Sequence, residues 1–204
     1  RYKNEEKGIE IIAYPDNKFS VDVLIDFNSK VLGHQYASLT DLEEFGTQIA
    51  PCRTFAFFHE LEPLFKNNLI KGGALENAIV IVEHNYPQKE FDRIADLFNK
   101  PRLEAKQGIL NNINLQFNNE PARHKLLDVI GDVALAGRRI KGKIIAKRPG
   151  HFANTEFANL IRQIVKFEQK NGVAPRYNPD EKPVRDINEI MKVLPHRPPF
   201  LLVD

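Results

Sequence analysis

Three side chains that could bind a metal ion or move a proton stand at helical spacing in the middle of the chain. His124 and Asp128 are four residues apart, and Asp132 follows after another four. Positions i and i+4 of a helix lie on one face, so the three side chains would point to the same side. Imidazole and carboxylate groups are zinc ligands, but this spacing is equally typical of a helix ion pair. The spacing alone leaves a metal site and an ion pair as alternatives.

The helix that would position these side chains is predicted over 124–135, with Leu127, Ile130 and Ala134 along one side. Residues 99–119 are rich in Asn, Gln and Lys, which predicts a loop or a weak strand. Apolar spacing and turn residues predict the remaining elements. Strands are expected over 9–14, 19–27, 53–57, 77–82 and 140–146, and helices over 59–66, 87–98 and 154–167.

Two local arrangements follow from turn and cap residues. The first two strands are separated by Pro15-Asp16-Asn17-Lys18, whose residue types favour a tight turn, so 9–27 is expected to form a hairpin. The segment 40–49 is expected to be a short helical piece capped by Ser38 or Thr40.

Composition limits the class of protein. The 204 residues are 42% hydrophobic and 27% charged, as in an ordinary globular protein, and the net charge of +2 does not indicate nucleic-acid binding. Apolar runs such as 78–82 are far shorter than the roughly 20 residues of a transmembrane helix. A single cysteine, Cys52, excludes an internal disulfide and favours a reducing, cytoplasmic compartment. The start at Arg1 and the final run 200–204 indicate a piece of a longer protein without a signal peptide.

Five motifs occur in one order along the chain. They are Asp26-Phe27-Asn28, Arg-Thr-Phe-x-Phe over 53–57, Gly72-Gly73 before Asn-Ala-Ile-Val over 77–80, His-Lys-x-x-Asp-x-x-Gly-Asp over 124–132, and Gly150-His151. The set resembles the UDP-3-O-acyl-N-acetylglucosamine deacetylases, the zinc enzymes of lipid A synthesis. In that family two similar α/β layers face each other with zinc between them.

The resemblance implies that this chain is the second layer of such a deacetylase sandwich, over 1–172. The expected fold class is α/β, or two-layer α+β: a mixed β-sheet packed on two helices, with a small strand-helix-strand insert over about 55–82 that forms the acyl-chain passage. The first layer, which would supply a further zinc histidine and the catalytic glutamate, is expected to lie outside this chain.

The resemblance also implies roles for the polar residues. His124 and Asp128 would be two zinc ligands, and His151 would be the acid that stabilises the oxyanion and protonates the leaving amine. Asp132 would hold the imidazolium of His151, and Thr54 would donate its hydroxyl to the oxyanion. An exposed loop histidine and a strand-surface threonine remain the alternatives for His151 and Thr54.

A substrate with a UDP head and a fatty tail needs a cationic and an apolar site. Phe27 could stack on uracil, and Lys125 and Arg148 could neutralise the pyrophosphate. Residues of the insert could line the acyl passage, although the same apolar pattern is typical of ordinary core. These residues are Phe55, Phe58, Leu61, Ile70, Ala74 and Leu75.

The end of the chain carries a second resemblance. Residues 173–185 have the prolines and mixed charges of a linker. Residues 186–204, with Leu-Pro-His-Arg over 194–197, are similar to the opening of the (3R)-hydroxyacyl-acyl-carrier-protein dehydratases, a hot-dog-fold family. This implies a deacetylase fused to a dehydratase that uses acyl carrier protein as its partner. The alternative is a non-catalytic α/β module that serves as a scaffold.

Overall fold

The computed structural model describes residues 1–67 and 75–171, which form two β-sheets and five α-helices. The predicted linker and the dehydratase-like segment lie outside the described residues. The strands are β1 (Tyr2–Asn4), β2 (Ile9–Tyr14), β3 (Ser20–Asp26), β4 (His34–Leu39), β5 (Thr54–Phe57), β6 (Ala78–Ile81), β7 (Ala105–Lys106), β8 (Ile109–Leu110) and β9 (Lys143–Lys147). The helices are α1 (Phe45–Gln48), α2 (Leu61–Lys66), α3 (Gln88–Leu97), α4 (Glu120–Ala134) and α5 (His151–Asn171).

The larger sheet has the strand order β1-β2-β9-β3-β4. β9 lies between β2, to which it is antiparallel, and β3, to which it is parallel. The predicted hairpin over 9–27 is therefore wrong. Ile144, Ile145 and Ala146 are all buried, so β9 is apolar on both faces and takes a central position. Gly142 comes directly before β9. The backbone there passes so close to β2 that a Cβ on residue 142 would collide with the carbonyl oxygen of Tyr14, so glycine is required.

Helices α4 and α5 pack on one face of this sheet and enclose the main core. The core joins Val21, Val23 and Ile25 of β3 to Leu126 and Val129 of α4, all of them fully buried. The predicted mixed sheet on two helices is confirmed. The short segment before α1 begins with a 3₁₀ turn that Asp41 caps by accepting a hydrogen bond from the backbone N–H of Glu43, so neither Ser38 nor Thr40 is its cap.

The second sheet has the order β5-β6-β8-β7. β5 and β6 are parallel and are connected through α2, which is the expected strand-helix-strand arrangement. The unit extends beyond residue 82, because β8 pairs with β6 and the Val82 backbone N–H donates to the Gly108 carbonyl at 2.7 Å. Helix α3 closes the core of this sheet with Phe91 and Ile94. Across the described ranges, no helix is both long and apolar enough to cross a membrane.

A buried carboxylate joins helix α4 to the residue that precedes β5. Helix α4 begins at Glu120, four residues before the predicted start, and the Glu120 side chain is fully buried. It accepts hydrogen bonds from Arg53 Nε at 2.8 Å and Nη2 at 3.0 Å, and from the backbone N–H groups of Arg53 and Gln116. Burial alone would raise the pKa of Glu120, but these four hydrogen bonds outweigh it and lower that pKa. The start of β5 is thereby fixed against the start of α4.

Replacing Glu120 by glutamine is expected to lower the free energy of unfolding by about 3 kcal/mol, because Arg53 loses the charge that compensates it. Since the folded-state pKa of Glu120 is lowered, its contribution is present above its unfolded pKa of about 4.3 and is lost as the pH falls through the folded value. Urea unfolding at pH 7 and at pH 3 measures both effects. The matched control is Glu5→Gln, which removes an exposed pair with Lys3 and should change little. Equal effects of the two substitutions would contradict this role of Glu120.

Candidate functional site

His124 and Asp128 lie side by side on one face of α4, as the spacing predicted, and both side chains are largely buried. His124 Nε2 is 3.5 Å from Asp128 Oδ1, and Asp128 is only 8% exposed. His124 Nδ1 lies 3.1 Å from the carbonyl oxygen of Cys52, which can only accept a hydrogen bond. Nδ1 is therefore placed to donate to this carbonyl, and in the neutral ring the lone pair of Nε2 can bind a metal.

The two side chains fit zinc as neighbouring ligands. Nitrogen and oxygen ligands of tetrahedral zinc are separated by about 3.4 Å, close to the distance found here between Nε2 and Oδ1. Residues 1–67 and 75–171 contain no group of three or more His, Cys, Asp or Glu side chains that could hold a metal ion. A zinc site on this face would need a ligand from outside the described residues.

Cys52 contributes through its backbone and not through its sulfur. The thiol is buried, and burial together with the Glu120 carboxylate raises the pKa of Cys52 to about 11. The sulfur is therefore protonated at neutral pH and is a poor metal ligand. Cys52 stands two residues before Thr54, which opens β5 and is exposed. The segment that leads into this strand thus contacts His124 at Cys52.

The packing of α5 on α4 brings His151 to the same place. His151 is the first residue of α5, so it belongs to a helix and not to a loop. Its Nδ1 lies 2.9 Å from Asp132 Oδ2, and its Nε2 lies 4.0 Å from Asp128 Oδ2. The ring is 69% exposed, so Nε2 faces both the pair on α4 and solvent. The structure therefore joins the four predicted polar residues of α4 and α5 in one site.

Asn154 belongs to this site, although the sequence analysis did not single it out. Its side chain is fully buried, and its Nδ2 donates to Asp132 Oδ2 at 2.9 Å. The signal in the sequence is a polar residue on the apolar side of α5, between Ala153 and Phe157, which are both buried. A buried amide requires a polar partner, which could have pointed to Asp132.

Aromatic rings and a lysine adjoin the polar site. The Lys125 ammonium lies 2.8 Å from Asp128 Oδ2 and 5.8 Å from the centre of the Phe55 ring. Phe27 is 38% exposed, and its ring meets that of Phe55 edge-on at 5.2 Å. Phe27, Phe55 and Lys125 therefore form one surface. The Arg148 side chain lies beside Gly8.

The residues expected to line an acyl passage are placed differently. Phe58 and Leu61 are 4% and 3% exposed and belong to the core of the second sheet, which also includes Leu75. The rings of Tyr86 and Phe91 cover Phe58 at 4.7 and 5.0 Å. In this packing the ordinary-core interpretation accounts for Phe58 and Leu61, because α3 covers them. Ile70 and Ala74 lie outside the described residues.

Comparisons with known proteins identify the family of this chain. A family model described as UDP-3-O-acyl N-acetylglycosamine deacetylase matches residues 1–103 and 103–163. A bifunctional enzyme LpxC/FabZ of Bacteroides thetaiotaomicron is 46% identical over all 204 residues, and its counterpart in Porphyromonas gingivalis is 50% identical over 200 residues, 98% of the chain. The chain covers 44% and 43% of these two relatives.

A relative that is named only as a deacetylase matches most of this chain. The UDP-3-O-acyl-N-acetylglucosamine deacetylase of Chlamydia pneumoniae is 33% identical over 165 residues, which are 80% of this chain and 50% of that protein. The chain thus spans about half the length of the relatives that it matches. It belongs to the UDP-3-O-acyl N-acetylglycosamine deacetylase family.

Proposed function

We propose that this chain is the second layer of a zinc-dependent deacetylase that hydrolyses the N-acetyl group of UDP-3-O-(3-hydroxyacyl)-N-acetylglucosamine in lipid A synthesis. One observation carries the proposal: His151, held by Asp132, directs Nε2 toward the adjacent pair His124 and Asp128. An acid held beside two potential zinc ligands is the arrangement that metal-assisted amide hydrolysis requires. The names of the relatives support the substrate class.

His124 Nε2 and the Asp128 carboxylate would hold the zinc ion, with a further ligand from a part of the protein outside this chain. When bound, zinc supplies a polarised carbonyl and a water of lowered pKa. The Asp128 carboxylate would exchange its ion pair with Lys125 for the metal. Lys125 would then be available to an anionic group of the substrate.

His151 would move the proton that the leaving group needs. Attack of water on the acetyl carbon and cleavage of the C–N bond yield acetate and a free amine, and the departing nitrogen must gain a proton. Protonated His151 would give that proton from Nε2, while Asp132 accepts the hydrogen bond from Nδ1. The Thr54 hydroxyl would donate a hydrogen bond to the developing oxyanion. One such donor stabilises the transition state by a few kcal/mol in comparable sites. The general base would be a glutamate outside this chain.

The aromatic surface beside the site would bind the substrate. Phe27 offers an exposed ring for stacking on uracil. Lys125 and Arg148 would neutralise the pyrophosphate, and Phe55 would contact the acyl chain where that chain leaves the site. The placement of Phe55 between Phe27 and Lys125 supports this assignment.

The proposal extends to the remainder of the protein. Leu135 and Phe152 are large apolar side chains exposed on the α4–α5 pair, which supports a first deacetylase layer as their covering partner. Residues 186–204 would begin a dehydratase that acts on acyl carrier protein, in agreement with the bifunctional name of the relatives. The lone, buried Cys52 supports a cytoplasmic location.

Metal removal provides the test. The complete protein should release acetate from the acylated UDP-sugar, lose this activity on treatment with a chelator, and recover it when zinc is added back. Acetate release and zinc content are measured on the same samples. A complete protein that binds no zinc and releases no acetate would contradict the proposal and favour the scaffold interpretation.

A further inference from the structure

We propose that Asn154 is a positioning residue of the site, which holds Asp132 so that Asp132 in turn directs His151. The inference rests on the proposed function, because it assigns a role in the same reaction. Among the residues that the structure describes, no hydrogen bond joins Asn154 to His151 directly. Its amide acts one residue further away, through the carboxylate of Asp132.

The hydrogen bonds form a directed series across α4 and α5. Asn154 Nδ2 and His151 Nδ1 each lie 2.9 Å from the same oxygen, Asp132 Oδ2. An ionised carboxylate accepts and cannot donate, so the amide must present its NH₂ group to Asp132. That assignment fixes which side of the Asn154 amide faces the carboxylate.

Asn154 is also the most firmly placed member of the series. Its side chain is fully buried, and its backbone N–H donates to the Gly150 carbonyl at 2.9 Å, within the first turn of α5. The His151 ring is mostly exposed. The orientation of this exposed ring thus depends on Asp132, and Asn154 supplies a buried support for Asp132.

The oxygen atom of the Asn154 amide indicates that this side chain does not serve to stabilise the fold. Asn154 Oδ1 is buried and has no hydrogen-bond partner among the residues that the structure describes. A buried acceptor without a partner destabilises the fold, and an apolar side chain at this position would avoid that cost. The amide is thus better explained by its donor group than by its contribution to folding.

The test is Asn154→Ala in the complete protein, assayed for acetate release. We expect kcat to fall about 10–100-fold, the usual effect of removing a group that orients a catalytic residue. The KM, the zinc content and the melting temperature should stay close to those of the wild type. Thr155→Ala is the matched control, since in the described part of the chain the Thr155 hydroxyl donates to the backbone carbonyls of His151 and Phe152 and to no side chain. If Asn154→Ala does not fold, Asn154→Ser replaces it, because the shorter hydroxyl cannot reach Asp132.

A double-mutant cycle separates positioning from a general structural effect. In an Asp132→Ala background, Asn154→Ala should lower kcat no further, since its only route to His151 is already gone. An unchanged kcat in the single variant, or an equal additional loss in the Asp132→Ala background, would overturn the inference. Failure of the proposed function is distinguishable, because in that case the wild-type protein itself releases no acetate.

Discussion

Replacing Asp128 by alanine is expected to abolish zinc retention by the complete protein. Asp128 and His124 are adjacent on α4, and each would supply one of the few protein ligands of a catalytic zinc ion. Loss of a ligand should weaken zinc binding by roughly 100-fold or more, beyond the 10–100-fold that loss of an outer hydrogen-bond partner costs. Zinc per protein, measured after dialysis by atomic emission, gives the result directly. His124→Ala should behave in the same way.

The chain offers a matched control for this measurement. His34 and Asp26 form another histidine–aspartate pair, with His34 Nε2 3.1 Å from Asp26 Oδ2, at the end of the large sheet where β3 and β4 meet. His34→Ala removes an imidazole that is about as buried as that of His124, but it should leave the zinc content unchanged. Equal zinc content in the Asp128 and His34 variants would exclude Asp128 as a ligand.

The local part of the site could be predicted from the sequence. His124 and Asp128 share a helix face because helical periodicity fixes the direction of side chains four residues apart. No tertiary information is needed for that step. The meeting of Asp132 with His151 required more, because nineteen residues separate them, and it was expected only from the family resemblance.

Strand pairing was the part that local patterns could not determine. A turn such as 15–18 favours reversal of the chain, but it does not determine whether the two strands pair with each other. β9 follows more than 110 residues later and inserts between them. The signal for that outcome was the apolar run over 144–146, which needs burial on both faces and therefore a central position.

The sequence also could not show whether Phe58 and Leu61 line an acyl passage or belong to the core. Phe58 and Leu61 have the apolar spacing that serves either purpose. The element that decides between the two is α3, which packs in one core with both residues. Asn154 was missed for a related reason, because its partner Asp132 lies on a different helix.

Replacing His151 by alanine is expected to leave the zinc content unchanged and to lower kcat by about 10²–10⁴-fold, the range found for general acids. His151 Nε2 is 4.0 Å from Asp128 Oδ2, so the ring faces the proposed ligands without taking their place. A metal ligand determines affinity for the ion, whereas an acid that acts only as the amine departs stabilises the transition state alone. The KM should therefore change little. Zinc content and steady-state kinetics of one preparation test both statements.

Comparison with Asp128→Ala makes this last prediction decisive. If His151 is the acid, the two variants differ in kind: the Asp128 variant loses metal and activity together, and the His151 variant loses activity with its metal retained. His59→Ala is the control. His59 is an exposed histidine whose ring stacks on Phe57 at 5.7 Å, and the proposed mechanism gives it no part in proton transfer. Loss of zinc from the His151 variant would show that His151 is a zinc ligand and not the acid. Full activity of that variant would show that the amine gains its proton from another group, and the hydrogen bonds that Asp132 accepts from His151 and Asn154 would then serve only to pack α5 against α4.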